Sequence, residues 1–175
     1  MDLKEYIRSI PDYPKKGILF RDITTLIKNE KAFCYCIDEI VDKCKKFKFN
    51  KIAAVESRGF VFAAAISYIL KKPFILLRKK NKLPAETHSV DFELEYGTAT
   101  IEMHKDSINK DDSVIIIDDL VATGGTAEAA AKLIGIANGK VAGFIFVINL
   151  FDLGGCNNLI KKGYKVENLI EFPGH

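Results

Sequence analysis

The densest chemistry in the chain is carried by Val114–Ile115–Ile116–Ile117–Asp118–Asp119–Leu120–Val121–Ala122–Thr123–Gly124–Gly125–Thr126. It reads as an apolar strand, an acidic pair, a small-residue loop and the start of a helix. Gly124 and Gly125 let the backbone bend so that successive N–H groups converge. The amino end of the following helix adds its own unpaired donors. Thr123 and Thr126 contribute hydroxyls, and Ala122 lies in the same loop. Such a loop holds a phosphate dianion without any basic side chain. Asp118 and Asp119 would repel that phosphate, so they must face a group that donates hydrogen bonds, and a ribose diol is the natural one. A phosphate cradle beside a diol-binding acidic pair describes a ribose 5-phosphate site. A Gly-Gly turn alone reads as a helix cap with solvated aspartates; the whole arrangement outweighs that reading. The Gly-Lys-Ser/Thr ending of a Walker A loop is missing, and so is a dinucleotide Gly-x-Gly-x-x-Gly fingerprint.

A second candidate anion loop is Glu56–Ser57–Arg58–Gly59, set between a strand and a helix. Its amides can hold an anion that Arg58 grips bidentately. The plain alternative is a Ser57 helix cap with Arg58 in a surface ion pair. Residues 78–100 are polar and turn-rich, with Arg78, Lys79, Lys80 and Lys82 crowded at their start. Long segments of this kind are solvated loops or lids. A lid here would bring positive charge to a polyphosphate and exclude water on closing.

The elements that must position these loops follow from periodicity. Helices are predicted over 2–9, 30–47, 59–71, 126–137 and, as a turn, 159–162. Strands are predicted over 51–56, 74–77, 98–104, 114–117, 141–149 and 166–172, with a strand or turn over 17–22 and a two-stranded flap inside 78–100. Continuous apolar strands alternating with helices predict an α/β fold, a mostly parallel twisted sheet covered on both faces. Ligands then bind at the carboxyl ends of the strands.

Composition sets the frame. The chain has 175 residues, enough for a single domain over 1–175, and 48% of them are hydrophobic. The longest apolar run, Val141 to Phe151, is about half of a membrane span and contains Asn149. The first 25 residues scatter charges with no apolar core, so no secretory signal is read and the expected address is cytoplasmic. The net charge of +3 does not call for nucleic acid. Cys34, Cys36, Cys44 and Cys156 lack metal-ligand spacing and read as buried free thiols. His88, His104 and His175 are assigned no role, and Phe33, Phe60 and Phe62 read as core.

The thirteen-residue stretch resembles the signature of the type I phosphoribosyltransferases, which bind 5-phosphoribosyl-1-pyrophosphate. Three further stretches resemble the adenine branch of that family. They are Gly17–Ile18–Leu19–Phe20–Arg21–Asp22–Ile23–Thr24, Glu56–Ser57–Arg58–Gly59–Phe60, and Arg78–Lys79–Lys80–Asn81–Lys82–Leu83–Pro84 running on to Leu94–Glu95–Tyr96–Gly97. Thr25, Ala63 and Ala85 depart from the family pattern without removing a donor or a charge.

The resemblance implies a type I phosphoribosyltransferase fold with a base-binding hood over 1–30 and a mobile cover over 78–100. It implies that Leu19, Phe20, Arg21 and Tyr96 hold adenine, and that Glu95 acts as acid or base at purine N7. Asp118, Asp119 and residues Ala122 to Thr126 would take the ribose 5-phosphate. Glu56, Ser57, Arg58, Gly59, Arg78, Lys79 and Lys82 would take the pyrophosphate. Arg58, Asp118 and Asp119 join Glu95 as catalytic candidates. The implied reaction converts adenine and 5-phosphoribosyl-1-pyrophosphate into AMP and pyrophosphate through an oxocarbenium-like transition state. Mg²⁺ is expected as cofactor, held by substrate and water with no direct protein ligand. A homodimer is implied by the family alone; no nucleic-acid or membrane partner is expected. The alternatives are a 6-oxopurine or xanthine phosphoribosyltransferase and a phosphoribosyl-pyrophosphate-sensing regulator.

Overall fold

The structure, a computed structural model, describes residues 1–93 and 97–174. A 3-10 turn over Leu3–Tyr6 leads into a hairpin of β1 (Arg8–Pro11) and β2 (Leu19–Asp22). The chain continues through α1 (Thr24–Ile27), α2 (Glu30–Cys44), β3 (Lys51–Val55), α3 (Arg58–Leu70) and β4 (Phe74–Lys79). Then come β5 (Thr87–Glu93), β6 (Thr98–His104), β7 (Ser113–Val121) and α4 (Gly125–Ile136). It closes with β8 (Lys140–Leu150), α5 (Gly155–Lys161) and β9 (Val166–Phe172). Strands β5 to β9 join β3 and β4 in a seven-stranded sheet ordered β5-β6-β4-β3-β7-β8-β9. From β4 to β9 in that order the neighbours are parallel, while β6 pairs antiparallel with both β4 and β5.

Alternation along the strands divides the core in two. Ile52, Ala54, Ile115 and Ile117 face α2 and α3, where they meet Ile37, Ile40, Phe62 and Ile66. Ala53, Val55, Ile116, Phe144 and Phe146 face the other way, toward Ala130, Leu133, Ile134 and Leu159. Each such fully buried Leu, Ile or Phe side chain contributes about 1.5–3 kcal/mol, so both layers are anchored by burial. Asn29 caps α2 by accepting the Ala32 N–H at 3.0 Å. Asn138, at φ 62°, takes the left-handed position that ends α4. The doubly covered, mostly parallel sheet is the fold class expected from the sequence.

Three expectations need correction. The helix expected over 2–9 is a short 3-10 turn followed by a strand, because Arg8 to Pro11 pair with Leu19 to Asp22 and that pairing overrides local preference. The flap strand β5 is the edge of the main sheet itself, aligned with β6 from Thr87↔His104 to Glu93↔Thr98. Cys34 is exposed, whereas Cys36, Cys44 and Cys156 are buried. Burial pushes the Cys36 thiol up to about 12 and those of Cys44 and Cys156 to about 11, which makes them inert packing groups.

The order β4-β3-β7 carries the key consequence. From β3 the chain crosses to β4 on one side, while β7 lies on the other. The loops leaving β3 and β7 therefore open side by side at a topological switch point, where ligands bind in such sheets.

Candidate active site

The cradle after β7 is walled by backbone. Gly124 sits at φ 93°, open to glycine, and a Cβ there would lie 3.3 Å from Cα of Gly155. Gly155 in turn donates its N–H to the Ala122 carbonyl at 3.0 Å, and a Cβ on it would meet that oxygen at 2.4 Å. The Ala122 carbonyl is thus turned to the protein. The first N–H groups of α4 have no carbonyl one turn back and remain available to an anion. Gly124 is buried, Gly125 and Thr126 are half-buried and Thr123 is exposed. From the opposite side, the Glu93 carbonyl at the end of β5 stands 3.0 Å from the Cβ position of Gly125. The last residue of β5 therefore stands at the mouth of the cradle.

The acidic pair lies within β7, not past its end. Ala54 pairs with Ile117, so Asp118 and Asp119 stand beside the loop that leaves β3. Asp119 is buried, and its Oδ2 accepts from Arg58 Nε at 2.5 Å. Asp118 Oδ1 accepts the Asp119 N–H at 2.9 Å and lies 2.7 Å from where a Cβ on Gly59 would be. Only glycine at 59 lets α3 approach the strand this closely. Burial and the neighbouring Asp119 carboxylate push the Asp118 carboxyl well above its ordinary range, against the pull of its hydrogen bond and of Arg58.

Arg58 joins three distant parts of the sequence. Its guanidinium pairs with Asp119 and lies 5.8 Å from the centre of the Phe20 ring. Phe20 belongs to the β1–β2 hairpin and packs edge-on against Tyr13 at 5.1 Å. The hairpin thereby hangs over the two loops. Its shape is set by Asp22, which takes Thr24 Oγ1 at 2.6 Å on one oxygen and Arg8 Nε at 3.1 Å on the other. The Thr24 hydroxyl and then Arg8 lower the Asp22 carboxyl to about 2. Leu19 is half-buried. The Arg21 side chain turns away from the loops: it donates to Ser9 Oγ at 2.5 Å and to the Pro173 carbonyl at 3.1 Å and lies over the Phe172 ring. Any contact of Arg21 with a base at this site is left to its backbone.

The remaining anion candidates divide. Ser57 makes no side-chain cap bond to α3. Glu56 is engaged with the chain: its Oε2 accepts from Arg78 Nε at 3.0 Å and from the Lys79 N–H at 2.9 Å. Arg78 also donates to the Lys82 carbonyl at 3.2 Å. Glu56 and Arg78 thus brace the cation-bearing loop, whereas the side chains of Lys79 and Lys82 are exposed. Glu95 and Tyr96 lie outside the described residues. Sequence reasoning missed Gly155 and the Glu93 carbonyl; the Gly154–Gly155 pair after a long apolar strand was the available signal for the first.

Among the described residues, no three His, Cys, Asp or Glu side chains gather into a group that could hold a metal ion, and no helix is long and apolar enough to cross a membrane.

Sheet, switch point and paired loops define a class, and the comparisons agree with it. The family model for the phosphoribosyl transferase domain matches residues 26–170, and the chain belongs to that family. Within the family, three of its relatives carry one name. The chain is 77% identical over all 175 residues to the adenine phosphoribosyltransferase of Pelagibacter ubique (strain HTCC1062), covering the whole of both. It superposes with a TM-score of 0.94 on the crystal structure of adenine phosphoribosyltransferase from Thermoanaerobacter pseudethanolicus, at 47% identity and 98% coverage of each chain. The enzyme of that name from Saccharomyces cerevisiae, solved with an imino-altritol bisphosphate and adenine, gives 0.88 at 33% identity and 97% coverage of each.

Proposed function

We propose that this chain transfers the 5-phosphoribosyl group from 5-phosphoribosyl-1-pyrophosphate to N9 of adenine, giving AMP and pyrophosphate. The observation that carries the reading is the position of Arg58, which links the acidic pair of β7 to the aromatic ring of the hairpin at the switch point. Kinship with adenine phosphoribosyltransferases over the full chain supports the choice of base.

In this reading the α4 amino end and its loop take the 5′-phosphate, and Asp118 and Asp119 accept from the ribose hydroxyls. Binding the diol gives Asp118 further hydrogen-bond donors beside the Asp119 N–H. As N9 attacks C1 of the ribose, the C1–O bond breaks and its electron pair leaves with pyrophosphate. Positive charge develops on the ribose, and the adjacent carboxylates stabilise it. Arg58, released from Asp119 when the diol arrives, turns its donors to the departing pyrophosphate. Lys79 and Lys82 lend it further positive charge. The purine proton passes to Glu95 near N7. Phe20 lies against the base, and the hairpin backbone at Leu19 accepts from the adenine N6 amino group, which hypoxanthine lacks.

Mg²⁺ belongs to the proposal as an ion that arrives on the substrate. Asp118 and Asp119 supply hard oxygen donors suited to it through water, and when bound it neutralises pyrophosphate charge. We assign the chain a cytoplasmic address and a homodimeric state. The exposed Val61, Tyr68 and Ile69 of α3, with Leu76 of β4, give apolar surface for a second copy, and light scattering of the purified protein tests it.

The decisive assay mixes adenine, 5-phosphoribosyl-1-pyrophosphate and Mg²⁺ and measures AMP, with hypoxanthine, guanine and xanthine in competition. Selective AMP formation is expected. Preference for an oxopurine, or no nucleotide at all, refutes the reading.

A further inference from the structure

Glu102 is a buried carboxylate that the proposed chemistry does not use. It is 7% exposed. On β6 it lies between Arg78 of β4 and Ser89 of β5, so the three side chains form a row across the sheet edge. One carboxylate oxygen accepts the Asn81 N–H at 3.0 Å, and the other accepts from Ser89 Oγ at 3.2 Å. Asn81 itself sits in the left-handed region at φ 64°, at the tip of the turn that leaves β4.

The charge pattern around it explains the cost of burial. Arg78, Lys79, Lys80 and Lys82 put four cations into five residues. Left alone they would repel one another and splay the turn. Glu56 holds the first two from one side, through the Arg78 side chain and the Lys79 N–H. Glu102 holds the turn from the other side through its backbone at Asn81. Two carboxylates against four cations leave the turn cationic while fixing its path.

We propose that Glu102 is a positioning residue for the pyrophosphate end of the substrate. It touches no ligand; it sets where the cations of Lys79 and Lys82 stand before the substrate arrives. This rests on reading those lysines as pyrophosphate-binding. A bound carboxylate with both oxygens occupied is a preorganising device, and preorganisation appears as affinity.

The test is a substrate-resolved kinetic comparison of Glu102→Ala, Glu102→Gln and Ser89→Ala with the wild type, together with calorimetric binding of inorganic pyrophosphate. Glu102→Ala is expected to raise KM for 5-phosphoribosyl-1-pyrophosphate and Kd for pyrophosphate about tenfold. KM for adenine and kcat should stay within about twofold of wild type. Glu102→Gln keeps one acceptor for the Asn81 N–H and should recover most of the affinity. Ser89→Ala removes only the outer contact and should cost about twofold. A merely structural role would lower the active fraction and Tm while leaving KM and Kd of the folded enzyme unchanged, and that result overturns the inference. So does an equal rise in both KM values. Should Glu102→Ala fail to fold, Ser89→Ala decides alone: a pyrophosphate Kd raised about twofold with KM for adenine unchanged supports the inference, and an unchanged Kd overturns it. A wild type that forms no AMP removes the parent reading; a wild type that forms AMP, with pyrophosphate affinity indifferent to residue 102, removes this one only.

Discussion

The phosphate cradle and the cation-bearing turn both prepare the molecule for anions, yet they are built from different materials. The cradle is made of backbone. Gly124 and Gly155 stack with no room for a side chain, and the hydrogen bond from Gly155 to Ala122 closes the wall. The turn after β4 is made of charge. It is held by Glu56 and Glu102, which come from the β3 loop and from β6 and meet it only in the folded chain. A backbone wall fails by steric intrusion, and a charge brace fails by losing one carboxylate. The two regions should therefore respond to different substitutions and through different kinetic constants.

The largest effect is expected where the cradle meets the acidic pair. Asp118→Asn with Asp119→Asn removes both carboxylates offered to the ribose and frees Arg58 from its partner. Charge-assisted hydrogen bonds contribute about 1.5–3 kcal/mol each, so kcat/KM should fall at least about 100-fold. Steady-state kinetics with both substrates checks this. Near-normal turnover would break the comparison at its root, because the cradle would then have no sugar beside it.

Gly155→Ala probes the backbone wall directly. The added methyl meets the Ala122 oxygen at 2.4 Å and the Gly124 nitrogen at 2.9 Å. Overpacking of this kind costs about 1–3 kcal/mol, and the chain can yield only by moving the cradle. KM for 5-phosphoribosyl-1-pyrophosphate is expected to rise about tenfold, with KM for adenine little changed. An unchanged KM with a lowered Tm would show that the wall bends elsewhere.

These contrasts also explain what was legible in the sequence. The cradle could be read because its parts are contiguous: strand, acids, glycines and helix follow one another from Val114 to Thr126, and local backbone rules give each its use. The parallel sheet was legible for the same reason, through unbroken apolar runs such as Val141 to Asn149. The brace could not be read. Nothing near Glu102 in sequence distinguishes it from a solvated strand residue, and its partners are 21 and 13 residues away. Arg21 shows the same limit from the other side. The resemblance places Arg21 among the base-holding residues, but nothing near it in sequence shows that a carbonyl 152 residues later takes its guanidinium. The N-terminal strand β1 was hidden because its identity depends on pairing with β2, not on its own four residues.

Glu56→Gln is the matching probe of the charge brace, with a smaller expected effect. The amide keeps an acceptor for one of Arg78 and Lys79 but loses the charge that pairs with Arg78, whose side chain is about one-third exposed. Solvent screening limits such a pair to about 1 kcal/mol or less. KM for 5-phosphoribosyl-1-pyrophosphate should rise no more than about fivefold, and kcat should hold. A loss as large as that of the double aspartate variant would mean that Glu56 meets the reacting groups itself, and the division between wall and brace would have to be redrawn.

The smallest effect sharpens the comparison through stability. The brace pairs its carboxylates with cations or hydrogen-bond donors, whereas Asp118 is half-buried against another carboxylate with Arg58 bound to that neighbour. Its carboxyl is raised above its unfolded value, so the folded state resists losing that proton. The resulting penalty is absent below the unfolded pKa of about 4, grows as pH rises through the interval up to the folded value, and is constant above it. Asp118→Asn keeps the oxygen that accepts the Asp119 N–H and removes the titration. The substrate-free variant should therefore match the wild type near pH 4 and exceed its Tm in mildly alkaline buffer, while losing activity. Calorimetric scans across that range test both halves. A variant with lower Tm at every pH would mean that Asp118 stabilises the empty protein, and that this site carries no charge strain for the sugar to relieve.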